Sequence, residues 1–134
     1  NVDGKGNTMT MHAVTTGKSK LHSIFALDFD NDGDLDLYSG ESSGTAWIWE
    51  NTNGKGMFQE HAVSMTARGH DARVGDVDCD GDLDIVGKPW GEGDPEPRDH
   101  IYLKNELVEK GGKAVFVRPK GEVWHPTEQR LFCP

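Results

Sequence analysis

One pattern occurs twice in this chain and constrains everything else: Asp-x-Asp-x-Asp-Gly-Asp-x-Asp, at 28–36 and again 48 residues later at 76–84. Ten of the 23 acidic residues fall in these two stretches, so the formal net charge of −9 is focused rather than spread. Gly33 and Gly81 stand at position 6 of each stretch, where a tight turn needs backbone conformations that side chains resist. Five carboxylates within nine residues repel one another unless something neutralises them. A merely soluble Asp/Gly turn does not need that density, and its recurrence argues for a function.

A hard cation taking six to eight oxygen ligands fits the pattern. The candidate ligands at positions 1, 3 and 5 are Asp28, Asp30 and Asp32 in the first loop and Asp76, Asp78 and Asp80 in the second. Asp34 and Asp82 at position 7 would offer backbone carbonyls, and Asp36 and Asp84 at position 9 would close the cage. Calcium suits so many carboxylates better than magnesium, which prefers fewer of them in strict octahedral geometry. The expectation is two Ca2+ ions, one per loop. An EF-hand would need Glu at position 12 and flanking helices. Ser39 and Gly87 stand at that position, and the flanks read as strands.

The repeat extends beyond the loops. Asn1 to Gly6 matches Asn51 to Gly56, His12-Ala13-Val14 matches His61-Ala62-Val63, and His22 and His70 each stand six residues before their loop. Asn105, followed by Gly111-Gly112-Lys113, reads as a third and looser copy of the Asn-Gly-Lys region. Within the complete unit, short runs at 23–28, 35–39, 45–50 and 57–63 read as strands punctuated by Gly, Asn and Asp. Four strands in roughly 40–50 residues is the size of one β-propeller blade.

The predicted fold is therefore all-β, built of blades of four antiparallel strands, with about two and a half blades present. Residues 1–21 are read as the end of a preceding blade, 22–69 as a complete blade, and 70–118 as a second calcium-loop blade. That second blade carries a long insertion at 88–99, with three prolines, and further strands at 100–103 and 114–117; residues 119–134 read as irregular.

Composition narrows the function classes. A net charge of −9 argues against nucleic-acid binding, which needs clustered Lys and Arg. No apolar run is long enough to span a membrane. Cys79 and Cys133 are too few for a disulfide framework, and whether they pair with each other is left open. The start at Asn1 rather than Met suggests a processed chain or a piece of a longer one.

These loops, flanked by strands and repeating near fifty residues, resemble the FG-GAP/VCBS repeats of integrin-α-like β-propellers, in which such a loop joins two strands and binds calcium. Trp47, Trp49, Asn51, Gly54, Gly56, His61 and Val63 make the chain more similar to secreted microbial VCBS-repeat proteins. The resemblance implies an extracellular setting. It also implies further blades to close the ring, supplied by a longer chain or by other copies.

The calcium is expected to be structural, so the working surface must lie elsewhere. Three readings stand. The first is a module for carbohydrate or extracellular-protein recognition, with Trp90, Arg73 and Trp124 as ligand-binding candidates and Trp47 and Trp49 packed between blades. The second is the propeller portion of a secreted carbohydrate-active enzyme of lyase or dehydratase type, with His70, Arg73 and His100 as catalytic candidates. His22 at the repeat position of His70 favours a framework role for that histidine, whereas Phe25 stands where Arg73 would, making Arg73 the departure from the repeat. The third is a repeat subunit of an extracellular assembly.

Overall fold

A computed structural model of the chain describes residues 2–42, 44–64, 69–88 and 100–112. Seven strands and no helix occur among the described residues. The first sheet is a meander in the order β1-β2-β3-β4, formed by Leu21–Leu27, Asp36–Glu41, Ala46–Asn51 and Phe58–Ser64. The second has the order β5-β6-β7, formed by Asp71–Gly75, Asp84–Lys88 and Ile101–Leu103. Every pairing is antiparallel. Two neighbouring meanders of this kind are the arrangement of adjacent β-propeller blades, so the all-β expectation holds.

The four strands expected in the first unit all form, each displaced by at most two residues. β1 stops at Leu27 and not at Asp28, because the Asp28 carboxylate turns into the loop to accept backbone N–H groups there. The strand expected at 100–103 is β7, whereas that at 114–117, the insertion beyond Lys88 and the segment 119–134 lie outside the described residues. Residues 2–20 carry turns and extended chain without an assigned strand.

Alternation along the strands sends one set of side chains between the two sheets. Phe29, Tyr38, Ala46, Ala72, Leu83 and Ile85 form the buried cluster, with Phe25, Leu27, Ile48, Val74, Ile101 and Leu103 packed around it. Each large apolar side chain withdrawn in this way contributes about 1.5–3 kcal/mol. Tyr38 is the largest buried member; its ring lies 6.1 Å from that of Phe25 and 6.5 Å from that of Phe29. Burial pushes its phenol up to about 12.

Polar ties fix how the sheets meet. Ser23 sits at an irregularity in β1 with a positive φ of 25°, which turns its hydroxyl toward β5. That hydroxyl donates to the His70 carbonyl at 2.6 Å and accepts from the Ala72 N–H at 3.0 Å. At the far end of β2, Gly40 lies against the backbone of Gly69. A Cβ on Gly40 would run into the Gly69 carbonyl oxygen and stand 2.6 Å from its carbon and 2.9 Å from its Cα. Backbone on both sides cannot swing away. Gly40→Ala is expected to cost about 3 kcal/mol, the upper end for overpacking. Urea unfolding measures this directly, and a loss under about 1 kcal/mol would show that the sheets do not depend on this approach.

Candidate metal centre

The two acidic stretches fold into the same loop. Asn31 and Cys79, both at position 4, have φ of 59° and 70°, and Gly33 and Gly81, both at position 6, have φ of 100° and 101°. Short polar residues and glycine tolerate these left-handed values. The loop then wraps its own carboxylates. Asp28 accepts from the N–H of Asp32 at 3.1 Å and of Gly33 at 3.0 Å, and Asp76 accepts from Asp80 at 3.1 Å. Asp32 accepts from the N–H of Asp34 at 2.8 Å, as Asp80 does from Asp82 at 3.1 Å.

Position 9 does something the motif does not announce. Asp36 is 2 % exposed and accepts two backbone N–H groups, from Phe29 at 3.0 Å and Asn51 at 2.8 Å. Asp84 is fully buried and repeats the arrangement with Val77 at 2.9 Å and Asn105 at 2.8 Å. Each therefore braces the loop's second residue to the chain leaving the third strand of its sheet. Asn105 is thus the structural counterpart of Asn51, as the looser third copy suggested. Its side-chain amide crosses between the sheets and donates to the Phe29 carbonyl at 3.1 Å.

Among the described residues three clusters bring carboxylate oxygens within 4.8 Å of one another: Asp28, Asp30 and Asp32; Asp76, Asp78 and Asp84; and Asp78, Asp80 and Glu109. All donors are hard oxygens, the chemistry of a Ca2+ or Mg2+ site and not of a thiolate or imidazole one. Among the described residues Asp82 Oδ1 is buried without a hydrogen-bond partner, which a nearby cation would satisfy, whereas the buried Asp80 Oδ2 faces the Lys104 ammonium at 3.4 Å. The acidic groups can hold a metal ion, and the residues fit one.

Electrostatics point the same way. Burial raises the Asp30 pKa above its usual value, and the charges of Asp36 and Asp32 add to it. Burial also raises Asp36, against the pull of the Asn51 and Phe29 N–H groups, and raises Asp76 against the pull of the Cys79 N–H. Asp82 is raised by burial while the Val108 N–H, 3.0 Å from its Oδ2, opposes the shift. These carboxylates resist ionising together unless a cation joins them.

Residues 28–87 match the FG-GAP-like repeat. The matched stretch opens on the first ligand position of one loop and closes three residues past the end of the other, so it spans both acidic loops of the FG-GAP-like region. No curated protein and no solved structure matches the chain.

The remaining candidates make local contacts of their own. His70 packs against His22 with ring centroids 3.9 Å apart, so the two repeat-related histidines meet at the junction of the sheets. Burial lowers the His70 pKa, and the neighbouring His22 lowers it further. Arg73 is largely exposed and turns back to Asp71 at 2.9 Å and the Ala72 carbonyl at 2.7 Å. His100 is exposed, and no hydrogen bond or ion pair joins it to His70 or Arg73 among the described residues. Trp90, Trp124 and Cys133 lie outside the described residues, so the pairing of Cys79 with Cys133 does too. Trp49 is buried and donates to Glu60 at 3.2 Å, while the Lys18 ammonium lies 3.2 Å from the centre of the half-buried Trp47 ring.

Two residues of the centre escaped the sequence reading. Glu109 comes from the turn after β7, and Lys104 from the residue before Asn105. Lys104 pairs with Asp78 and Glu109, and those contacts, Asp78 first, hold its ammonium pKa above the usual lysine range. Aligning Asn105 on Asn51 would have placed Lys104 beside the loop. For Glu109 the sequence carries no comparable signal.

Proposed function

We propose that this chain is the calcium-binding portion of an extracellular β-propeller of the kind found in secreted microbial VCBS-repeat proteins. In this reading two Ca2+ ions, one in each acidic loop, hold the blades in shape so that the propeller can present a surface for carbohydrate or protein recognition. Further blades come from the same longer chain or from other copies. One observation carries the reading: the two loops share backbone angles, self-wrapping carboxylates and buried braces, 48 residues apart. A geometry repeated in this detail, with its carboxyl groups crowded and partly desolvated, is what a hard divalent ion requires. The number of carboxylates favours Ca2+ over Mg2+.

Equilibrium dialysis against Ca2+, followed by metal analysis, tests it. Two calcium ions per folded chain are expected, falling to one in Asp30→Asn. A folded chain that retains no calcium, or retains magnesium in preference, would overturn the reading.

A further inference from the structure

The two loops are near copies, but their surroundings are not. Asn51 and Asn105 occupy equivalent places, since each gives its N–H to the position-9 carboxylate at 2.8 Å. The residue just before each therefore stands at the same backbone position relative to its own loop. In the first sheet that residue is Glu50, and in the second it is Lys104. The repeat thus exchanges an anion for a cation at one position beside its metal centre.

The side chains act on this difference. Glu50 turns to His61, with Oε2 2.8 Å from the ring Nε2, and supplies the first loop with no positive charge. Among the described residues no lysine or arginine pairs with Asp28, Asp30 or Asp32. Lys104, by contrast, pairs with Asp78 and Glu109 and lies 3.4 Å from Asp80 Oδ2. Asp78, Asp80 and Glu109 are one of the two groups at this loop that converge closely enough to hold an ion, and Asp78 also belongs to the other, with Asp76 and Asp84. An ammonium and a divalent ion cannot both occupy that convergence.

Resting on the calcium reading above, we propose that Lys104 is a tethered counter-cation that competes with Ca2+ for the second loop. The first loop has no internal rival among the described residues and fills first. The second fills only when the ion displaces the ammonium from Asp78 and Asp80, so it is the weaker and more readily exchanged site. Lys104 is 35 % exposed and Asp80 17 % exposed, so solvent screens these pairs only in part. Breaking one partly screened set of ion pairs is expected to weaken binding on the order of tenfold.

The experiment is an equilibrium competition titration of the calcium-loaded chain against a chromophoric chelator, for the natural chain, Lys104→Gln and Lys104→Met. Far-UV circular dichroism is read in the same cuvette. Starting from the loaded state keeps the chain folded while the first ion leaves. For the natural chain, two calcium constants on the order of tenfold apart are expected. Both variants should tighten the weaker constant by about that factor and leave the tighter one unchanged. In an Asp30→Asn background only the weaker site remains, and Lys104→Gln should tighten it alone, which assigns it to the second loop. Two constants unaffected by either variant, or a weaker site that loosens further without the ammonium, would overturn the role of Lys104 and leave calcium binding intact. A chain that takes up no calcium would overturn both.

Discussion

Asp36→Ala is expected to remove a large share of the chain's stability, with or without calcium. The carboxylate is buried, and its two oxygens satisfy the backbone N–H groups of Phe29 and Asn51. Truncation leaves both donors without a partner inside the protein and opens a polar void. Each orphaned buried donor costs about 1–3 kcal/mol, so the loss is on the order of 3–5 kcal/mol. That is a large share of the roughly 5–15 kcal/mol that holds a domain of this size together. Asp30→Asn is the control. Asp30 is exposed, and its one backbone hydrogen bond among the described residues is a 3.2 Å acceptance from Asp32, so its loss should matter only when calcium is present. Denaturation curves for both variants, in calcium and in chelator, separate a brace from a ligand. If Asp36→Ala proved as mild as Asp30→Asn in chelator, position 9 would be only another ligand.

Removing calcium should lower the melting temperature on the order of 10 °C for each ion lost. An ion present at about 100 times its dissociation constant contributes roughly 2.7 kcal/mol, and each kilocalorie moves the midpoint of a chain this long by a few degrees. The pH dependence supplies a second, independent sign. In the chelated chain Asp30, Asp36, Asp76 and Asp82 hold protons more tightly than in the unfolded chain, where the value is near 3.8. Their contribution is therefore fully present below pH 3.8 and is lost as the pH rises through the higher folded values. The chelated chain should gain stability on mild acidification from neutrality, whereas the calcium-loaded chain should lose it as protons displace the ion. Differential scanning calorimetry between pH 4 and 7 reads both slopes. Parallel slopes, or a midpoint indifferent to chelator at every pH, would remove calcium from the account of stability.

Much of this was legible in the sequence because the repeat fixes two things at once. Runs such as Ala46–Asn51 declare themselves by alternation and by the Gly and Asn that bound them, so β1 to β4 are found within two residues. The loops declare themselves by carboxylate density. What the sequence hides is burial. Nothing in the spelling of the motif separates Asp30, which is exposed, from Asp36 and Asp84, which are sealed under a neighbouring strand end. Long-range charge is hidden as well, since Lys104 acquires its meaning only when β7 pairs with β6 and brings the end of β7 back beside the loop. Arg73 departs from the repeat, but an exposed strand position with Asp71 on the same face captures it locally.

The meanders also settle the order in which such a chain can take shape. Each strand pairs with the one made just before it, so a sheet needs no partner from far along the chain to begin closing. On a ribosome, the first acidic loop could be braced as soon as Asn51 had emerged, well before β5 existed. The Ser23 hydroxyl must wait 47 residues for the His70 carbonyl, and the Phe29 carbonyl 76 residues for the Asn105 amide. A chain wired this way can begin to fold while it is still being synthesised, with these distant ties made late.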